Sequence, residues 1–264
     1  MRRAAPTLGE IFVVVGLGFI GQLTAQMLRS NGCRVIGVDV DGGRIAMAQS
    51  MGLDWGIHPD DFDQITQVAR LTGGTGADGV IITAASQSDE IVSAAFKMCR
   101  KKARVVLVGD VGLDLSRADF YAKELDFLIS SSYGPGRYDE HYEQGGLDYP
   151  IGYVRWTEGR NMAEYFRLLA DGLVDLSNLA TEIHPLAKAA DAYGALKNGP
   201  QKPLLVLLSY ELGHDVQPRR RLDIPGVAAR KHAGRIRVGL IGAGGFAKGM
   251  HLPNMVEMAD TFEP

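Results

Sequence analysis

The sequence predicts an α/β fold: a doubly wound parallel sheet, followed near the chain's end by the first strand and helix of a second unit of the same kind. Three observations carry this reading. Short apolar runs alternate with helix-like stretches from Ile11 onward, and parallel strands need such crossovers. A glycine cluster separates the first run from the first helix, and an acid closes the second run. The chain has 264 residues, 46% apolar and 22% charged. At roughly 150 residues per domain it makes one large or two modest domains, with enough apolar content for a core. Disorder, collagen-like repeats and a small disulfide scaffold are excluded. No run approaches the ~18 apolar residues of a membrane helix. A net charge of −3 gives no electrostatic reason to expect nucleic acid. Glycine is in excess, with 33 residues against a usual ~7%.

The run at 11–15 is β-branched and aromatic, suited to a strand buried on both faces. Residues 21–30 have helical spacing, with Leu23, Met27 and Leu28 on one side, and Asn31-Gly32 stops the helix. Further strands are expected at 34–39, 55–57, 79–83, 104–108 and 127–131, with helices at 44–51, 61–71 and 88–100 between them. The rhythm then changes. Residues 132–158 form a Gly-, Tyr- and Asp-rich loop, and loops of such length are usually functional or partner-contacting. Helices at 161–171 and 186–197 follow, then an apolar strand at 204–208. Residues 211–234, with Pro218, Pro225 and Arg219-Arg220-Arg221, read as a solvated linker, and a fresh strand follows at 236–241.

The cluster Gly16-Leu17-Gly18-Phe19-Ile20-Gly21 is a G-x-G-x-x-G turn in the strand-to-helix context that gives this motif meaning. Gly16 permits the tight turn, Gly18 lets the backbone approach a pyrophosphate, and Gly21 lets helix and strand pack closely. The helix N-terminus then holds the phosphates. Asp39 ends the second strand, where its carboxylate can accept both adenosine-ribose hydroxyls and repel a 2′-phosphate. The cofactor expected is NAD, in a Rossmann-type domain. A turn-shaping role for the glycines alone is the bland alternative. A methyltransferase fits less well, because no acid precedes Gly16 and the third glycine falls inside the helix. Arg44 either stacks on adenine, approaches a 2′-phosphate or is an ordinary surface arginine. Ligands bind outside the carboxyl ends of strands in such sheets. That nominates Thr83 to Ala85 (Thr83 and Ala84 first), then Val108 with Gly109, and Ser131 with Ser132; Gly109 is expected to open the backbone to a nicotinamide.

These residues resemble the coenzyme half of medium-chain, alcohol-dehydrogenase-like zinc enzymes. The resemblance rests on Leu8-Gly9-Glu10, the run 13–21, Val35-Ile36-Gly37-Val38-Asp39, Val105 to Gly109, Lys123-Glu124-Leu125, His184-Pro185-Leu186 and Ala192-Tyr193, and it covers about residues 8–210. Within the family, the loop 131–138 and the run 153–158 are similar to two-module oxidoreductases associated with bacterial surface-polysaccharide gene clusters. The resemblance implies hydride transfer between nicotinamide and a secondary alcohol or sugar-like carbonyl, allows a homo-oligomer, and implies zinc held by an N-terminal domain. No zinc ligands carry over, because the chain opens at the first nucleotide-binding strand. Residues 155–208 correspond to elements that pack on that other domain, so the strand at 204–208 is expected to lack part of its partner surface.

A second turn, Gly242-Ala243-Gly244-Gly245-Phe246-Ala247, with His251-Leu252-Pro253, resembles the opening of the glucose-fructose oxidoreductase and inositol dehydrogenase family. Only 22 residues follow Gly242, fewer than the ~30 of a βαβ unit, so one strand, one helix and no second working site are expected. The chain reads as a window from a longer oxidoreductase, or as a non-catalytic dinucleotide-binding fragment.

Other features carry less. Cys33 and Cys99 have no Cys or His at ligand spacing, which fits a reducing, cytoplasmic setting; Cys33 is expected as a small buried hydrophobe. Arg2-Arg3 before an apolar stretch imitates a signal peptide, but Glu10 interrupts it. Tyr193 and Lys197 match a Y-x-x-x-K spacing far from any nucleotide-proximal helix. The six histidines are scattered. Asp139, Glu140, His141 and Glu143 cluster in the long loop, where solvation explains them as well as a site does.

Overall fold

Ile-Phe-Val-Val-Val at Ile11–Val15 forms β1, buried at every position, as a central parallel strand covered on both faces requires. The computed structural model describes residues 1–198, 203–210 and 234–263, in two units, Met1–Glu211 and Leu212–Pro264. In the first unit β1 leads into α1 (Phe19–Ser30), then β2 (Arg34–Val38), α2 (Gly42–Ser50), β3 (Trp55–Ile57), α3 (Gln64–Leu71) and β4 (Ala77–Ile82). β5 (Ala85–Ser86), α4 (Glu90–Met98), β6 (Cys99–Leu107), β7 (Asp110–Val111), α5 (Arg117–Phe120) and β8 (Asp126–Ile129) follow. The central sheet has the order β3-β2-β1-β4-β6-β8, and each neighbouring pair is parallel. Chain order reverses between β1 and β4, the switch point at which doubly wound sheets open a ligand crevice.

Strand side chains alternate between two apolar layers. Val13, Val15, Ile36, Val80 and Ile82 pack with Val68 of α3 and Phe96 of α4. Phe12, Val14, Val35 and Ile81 pack with Leu28 of α1 and Ile45 of α2. Most expected boundaries move by a few residues, for local reasons. α3 starts only at Gln64 because Asp63 caps it, accepting the Thr66 amide at 2.9 Å. α4 stops at Met98 and β6 starts at Cys99, where Lys123 Nζ donates to the carbonyls of Phe96, Lys97 and Cys99 at 3.1, 2.8 and 2.7 Å. That ammonium satisfies carbonyls a helix end leaves open. On α1 the expected apolar side is corrected. Leu23 and Met27 are only half-buried, while Gln22, Ala25, Gln26 and Leu28 are buried.

Gln26 is buried because its amide meets a peptide: Nε2 donates to Asp175 O at 3.1 Å and Oε1 accepts Asp175 N at 2.6 Å. This ties the tail of the unit to α1. The expected loop at 132–158 contains α6 (Glu140–Glu143), and α7 (Glu158–Ala170) begins earlier than expected, capped by the buried Thr157. β9 (Ala180–Pro185) escapes the sequence reading, since Glu182, His184 and Pro185 interrupt any apolar run. A 3-10 turn, Leu186–Lys188, precedes α8 (Ala189–Asn198), and β10 (Leu205–Ser209) pairs parallel with β9. β10 is not closed over: Leu207 is 40% exposed. Of the expected linker, residues 211–233 lie outside the described residues.

In the second unit the expected strand 236–241 shrinks to β11 (Ile236–Arg237). A π-helical turn at Ala247–His251 runs into α9 (Leu252–Glu257). A second strand, which the sequence reading did not expect, forms as β12 (Phe262–Glu263), parallel to β11. Two residues are enough because Ile236 N donates to Thr261 O at 2.8 Å and Val238 N to Glu263 O at 3.0 Å. Among the described residues no helix is long and apolar enough to cross a membrane.

Phe96 is the test of the α3–α4 layer. It is 1% exposed and its ring lies 5.3 Å from both Phe120 and Phe127. Phe96→Ala is expected to cost about 3–5 kcal/mol, read as a lower urea midpoint at unchanged slope. A loss below about 1 kcal/mol would show that these rings do not share one core.

Candidate dinucleotide site

At the switch point the chain leaves β1 through Gly16, whose φ of +92° suits only a residue without a Cβ. The Gly16 amide donates to Val38 O at 2.8 Å, which pins the turn to β2. A Cβ at Gly16 would stand 2.6 Å from the Ala84 nitrogen. One at Gly21 would overlap the Gly16 carbonyl, so α1 rests directly on the turn. Gly18 differs from both. Nothing lies within 4 Å of where its Cβ would be, and as N-cap of α1 it supplies no side-chain cap. Open space therefore faces a helix N-terminus whose first amides lack a capping side chain, the arrangement that receives phosphate. Phe19 is half-buried, and Ile20 is 53% exposed on the first turn.

Asp39 is buried beside this turn. Its Oδ2 accepts the Leu17 amide at 2.5 Å and its Oδ1 accepts the Asp41 amide at 2.8 Å. Each oxygen keeps acceptor capacity for a ligand hydroxyl. Arg44 stands 3.9 Å from Asp39 and 3.5 Å from Asp41. Its guanidinium thus faces two carboxylates while its side chain stays 37% exposed. Asp41 also caps α2, accepting the Gly43 amide at 2.8 Å.

The other strand ends converge as expected, but by backbone packing. Thr83 Oγ1 donates to Gly16 O at 2.5 Å, and Ala84 N donates to Val15 O at 3.1 Å. Val108 N and Gly109 N both donate to Ile82 O at 2.9 Å. A Cβ at Gly109 would overlap the Ala84 carbonyl. Packing thus gives that glycine a reason of its own, since it lets the chain after β6 pass the end of β4. Ser131 and Ser132 line a cleft of about 720 Å³ with Arg3, Tyr138, Trp156 and Glu164, which no residue from 16 to 21 lines.

Two residues of the turn region were missed from sequence. Gln22 is 1% exposed and donates from Nε2 to Leu17 O at 3.1 Å and Arg44 O at 2.9 Å. Its only signal was a polar residue directly after the third glycine. His58 follows β3, and its Nε2 lies 2.8 Å from Val40 O, beside Asp39; a lone histidine carried no such signal.

The remaining candidates do not gather. Among the described residues no three His, Cys, Asp or Glu side chains converge on a metal-sized site. The described residues therefore do not fit the zinc of the resembled enzymes. Both cysteines are free and buried. Burial pushes the Cys99 thiol up to about 12 and raises that of Cys33. Tyr193 is 73% exposed on α8. Asp139 caps α6 through the His141 amide at 3.0 Å and accepts the Tyr149 hydroxyl, while Glu143 pairs with Arg137. That cluster holds its own loop together. His184 pairs with Glu182 at 3.0 Å and His251 packs on Phe246, whereas His214 and His232 lie outside the described residues.

The fold and turn define a Rossmann-like domain. Residues 20–144 match the family described as zinc-binding dehydrogenase. The chain is 27% identical over 196 residues to D-guloside 3-dehydrogenase of Escherichia coli, covering 73% of this chain and 52% of that one. It is 31% identical over 117 residues to an NAD-dependent alcohol dehydrogenase of Sulfurisphaera tokodaii, covering 44% of this chain and 33% of that one. Galactitol-1-phosphate dehydrogenase from Escherichia coli superposes with a TM-score of 0.60 at 20% identity, over 76% of this chain and 54% of that one. The chain spans about half the length of the first curated relatives it matches.

Two outcomes follow from this packing. Gly21→Ala is expected to destabilise the fold by about 2–4 kcal/mol, because its Cβ meets backbone that cannot step aside; an unchanged melting temperature would refute the close approach. Both thiols should stay silent to a thiol-reactive disulfide at pH about 8 until the protein is unfolded, since buried neutral thiols are poor nucleophiles. Stoichiometric labelling of the native chain would contradict their placement.

Proposed function

We propose that this chain binds NAD(H) as the nucleotide-binding part of an oxidoreductase acting on a secondary alcohol or sugar-like substrate. The observation that carries it is the contrast between the glycines: Gly16 and Gly21 are filled against by protein backbone, while the side-chain direction at Gly18 is open before an uncapped helix N-terminus. A turn serving only the fold has no use for that third space. In this reading the amides of α1 hold the pyrophosphate and Asp39 accepts the adenosine-ribose hydroxyls. Thr83, Ala84, Val108 and Gly109 form the backbone wall toward the nicotinamide. The cofactor supplies hydride transfer when bound, and this chain's share is binding and orientation.

The family of the segment and the sugar- and alcohol-acting names of the relatives support the substrate class. Full turnover is the property of a longer protein, in which 155–210 packs on a further domain; the exposed Leu207 on β10 favours this. The turn at 242–247 and the short β11–β12 pair favour a second dinucleotide-type module beginning there. Resemblance to the two-module oxidoreductases supports a role in surface-polysaccharide synthesis.

NADH fluorescence titration tests the cofactor, and an alcohol-oxidation assay with added zinc tests turnover. Binding without turnover is expected, and robust turnover would overturn the part-protein reading. Gly18→Ala should leave the melting temperature nearly unchanged and weaken NADH at least tenfold. Asp39→Ala should weaken NADH about tenfold to a hundredfold, the equivalent of about 1.5–3 kcal/mol for hydrogen bonds to a charged group. Unaltered binding in both variants would remove the site.

A further inference from the structure

Gln22 is a buried amide without an obvious packing reason. Its neighbours on α1 and its near-complete burial suit an apolar side chain, and its Oε1 has no hydrogen-bond partner. A buried carbonyl without a donor is a cost that leucine or methionine would not carry. What the glutamine offers instead is its NH₂ group. Nε2 reaches Leu17 O and Arg44 O at 3.1 and 2.9 Å, bridging the glycine turn to α2. These two residues also hold Asp39. The Leu17 amide donates to Asp39 Oδ2 at 2.5 Å, and the Arg44 guanidinium stands 3.9 Å from the same oxygen. Leu17, Asp39, Arg44 and Gln22 therefore close a ring in which each member touches the next.

We propose that Gln22 is a positioning residue for ribose recognition, fixing the Asp39 carboxylate through Leu17 and Arg44. The inference rests on the NAD(H) reading above. With both turns tied to one rigid amide, Asp39 stays aimed at the place of the ribose hydroxyls, and its fixed charge opposes a 2′-phosphate. Loosening the ring costs affinity for NADH and lowers the preference for NADH over NADPH. A purely structural glutamine would lower stability and leave that preference unchanged.

The test measures NADH and NADPH affinities by fluorescence for the 264-residue chain and for Gln22→Met, Asp39→Ala and their combination, with thermal melts alongside. Gln22→Met keeps the side-chain length and removes both donors. It should weaken NADH about tenfold, because a displaced Asp39 carboxylate bonds the ribose less well, and NADPH by much less. In the Asp39→Ala background it should change NADH affinity by less than about twofold, because residues acting through one another are not additive. Additive losses, or an unchanged ratio of NADH to NADPH affinity, overturn the proposal. If Gln22→Met does not fold, Gln22→Glu carries the test: only the neutral acid keeps one donor, so its NADH affinity relative to the unsubstituted chain should rise as pH falls from about 8 to about 5.5. A flat profile overturns it too. Failure of the unsubstituted chain to bind NADH overturns both readings. Binding that Asp39→Ala weakens and Gln22→Met does not overturns this one alone.

Discussion

Four stretches of backbone meet at the end of β1, and the rest of the domain depends on how closely they approach. The turn at Gly16 presses on Ala84, α1 rests on the Gly16 carbonyl at Gly21, and Gly109 passes the Ala84 carbonyl. Thr83, just past β4, donates its hydroxyl to the Gly16 carbonyl. A Cβ at any of these three glycines would meet backbone, so the segments approach as closely as they do only without side chains there. This close approach lies at the switch in strand order, where doubly wound sheets open a crevice. A single position in the cluster is relieved of that crowding, at Gly18. The candidate site is thus a gap left in an otherwise filled junction.

Polar groups around the junction are held by one another. Asp39 takes two backbone amides, Arg44 faces two carboxylates, and Gln22 spans two carbonyls. Burying such groups is tolerable only when they are paired. The pairing makes the acid at the end of β2 a fixed feature of the turn. Farther out the interactions change character. Asp175 docks on Gln26 and Leu173 O accepts Ser30 Oγ at 3.0 Å, so the tail is anchored to α1 through polar contacts while β10 keeps apolar surface exposed.

Much of this was legible in the chain. The six main strands could be read because a strand covered on both faces must be apolar nearly throughout, and Ile11–Val15 or Val80 to Ile82 have no other use for such composition. The glycine turn and the placing of Asp39 could be read because both are set by local geometry within one βαβ unit. β9 could not, because Glu182 and His184 pair with each other and leave no period-two apolar pattern. The second strand of the small unit could not either, since its two residues gain strand geometry only from β11.

By itself the sequence determined the strand-turn-helix at 11–30, the parallel class of the sheet and the acid that closes β2, all consequences of composition and spacing over short range. Only the tertiary structure decided what the polar residues nearby do. Gln22 reaches Arg44 across 22 positions and Gln26 reaches Asp175 across 149. It likewise decided that Gly109 serves packing against Ala84 and that Arg44 is held by carboxylates. The physical reason is the same in each case. A buried hydrogen bond or a backbone contact needs two partners, and the partner's identity is written in a part of the chain that only folding brings near.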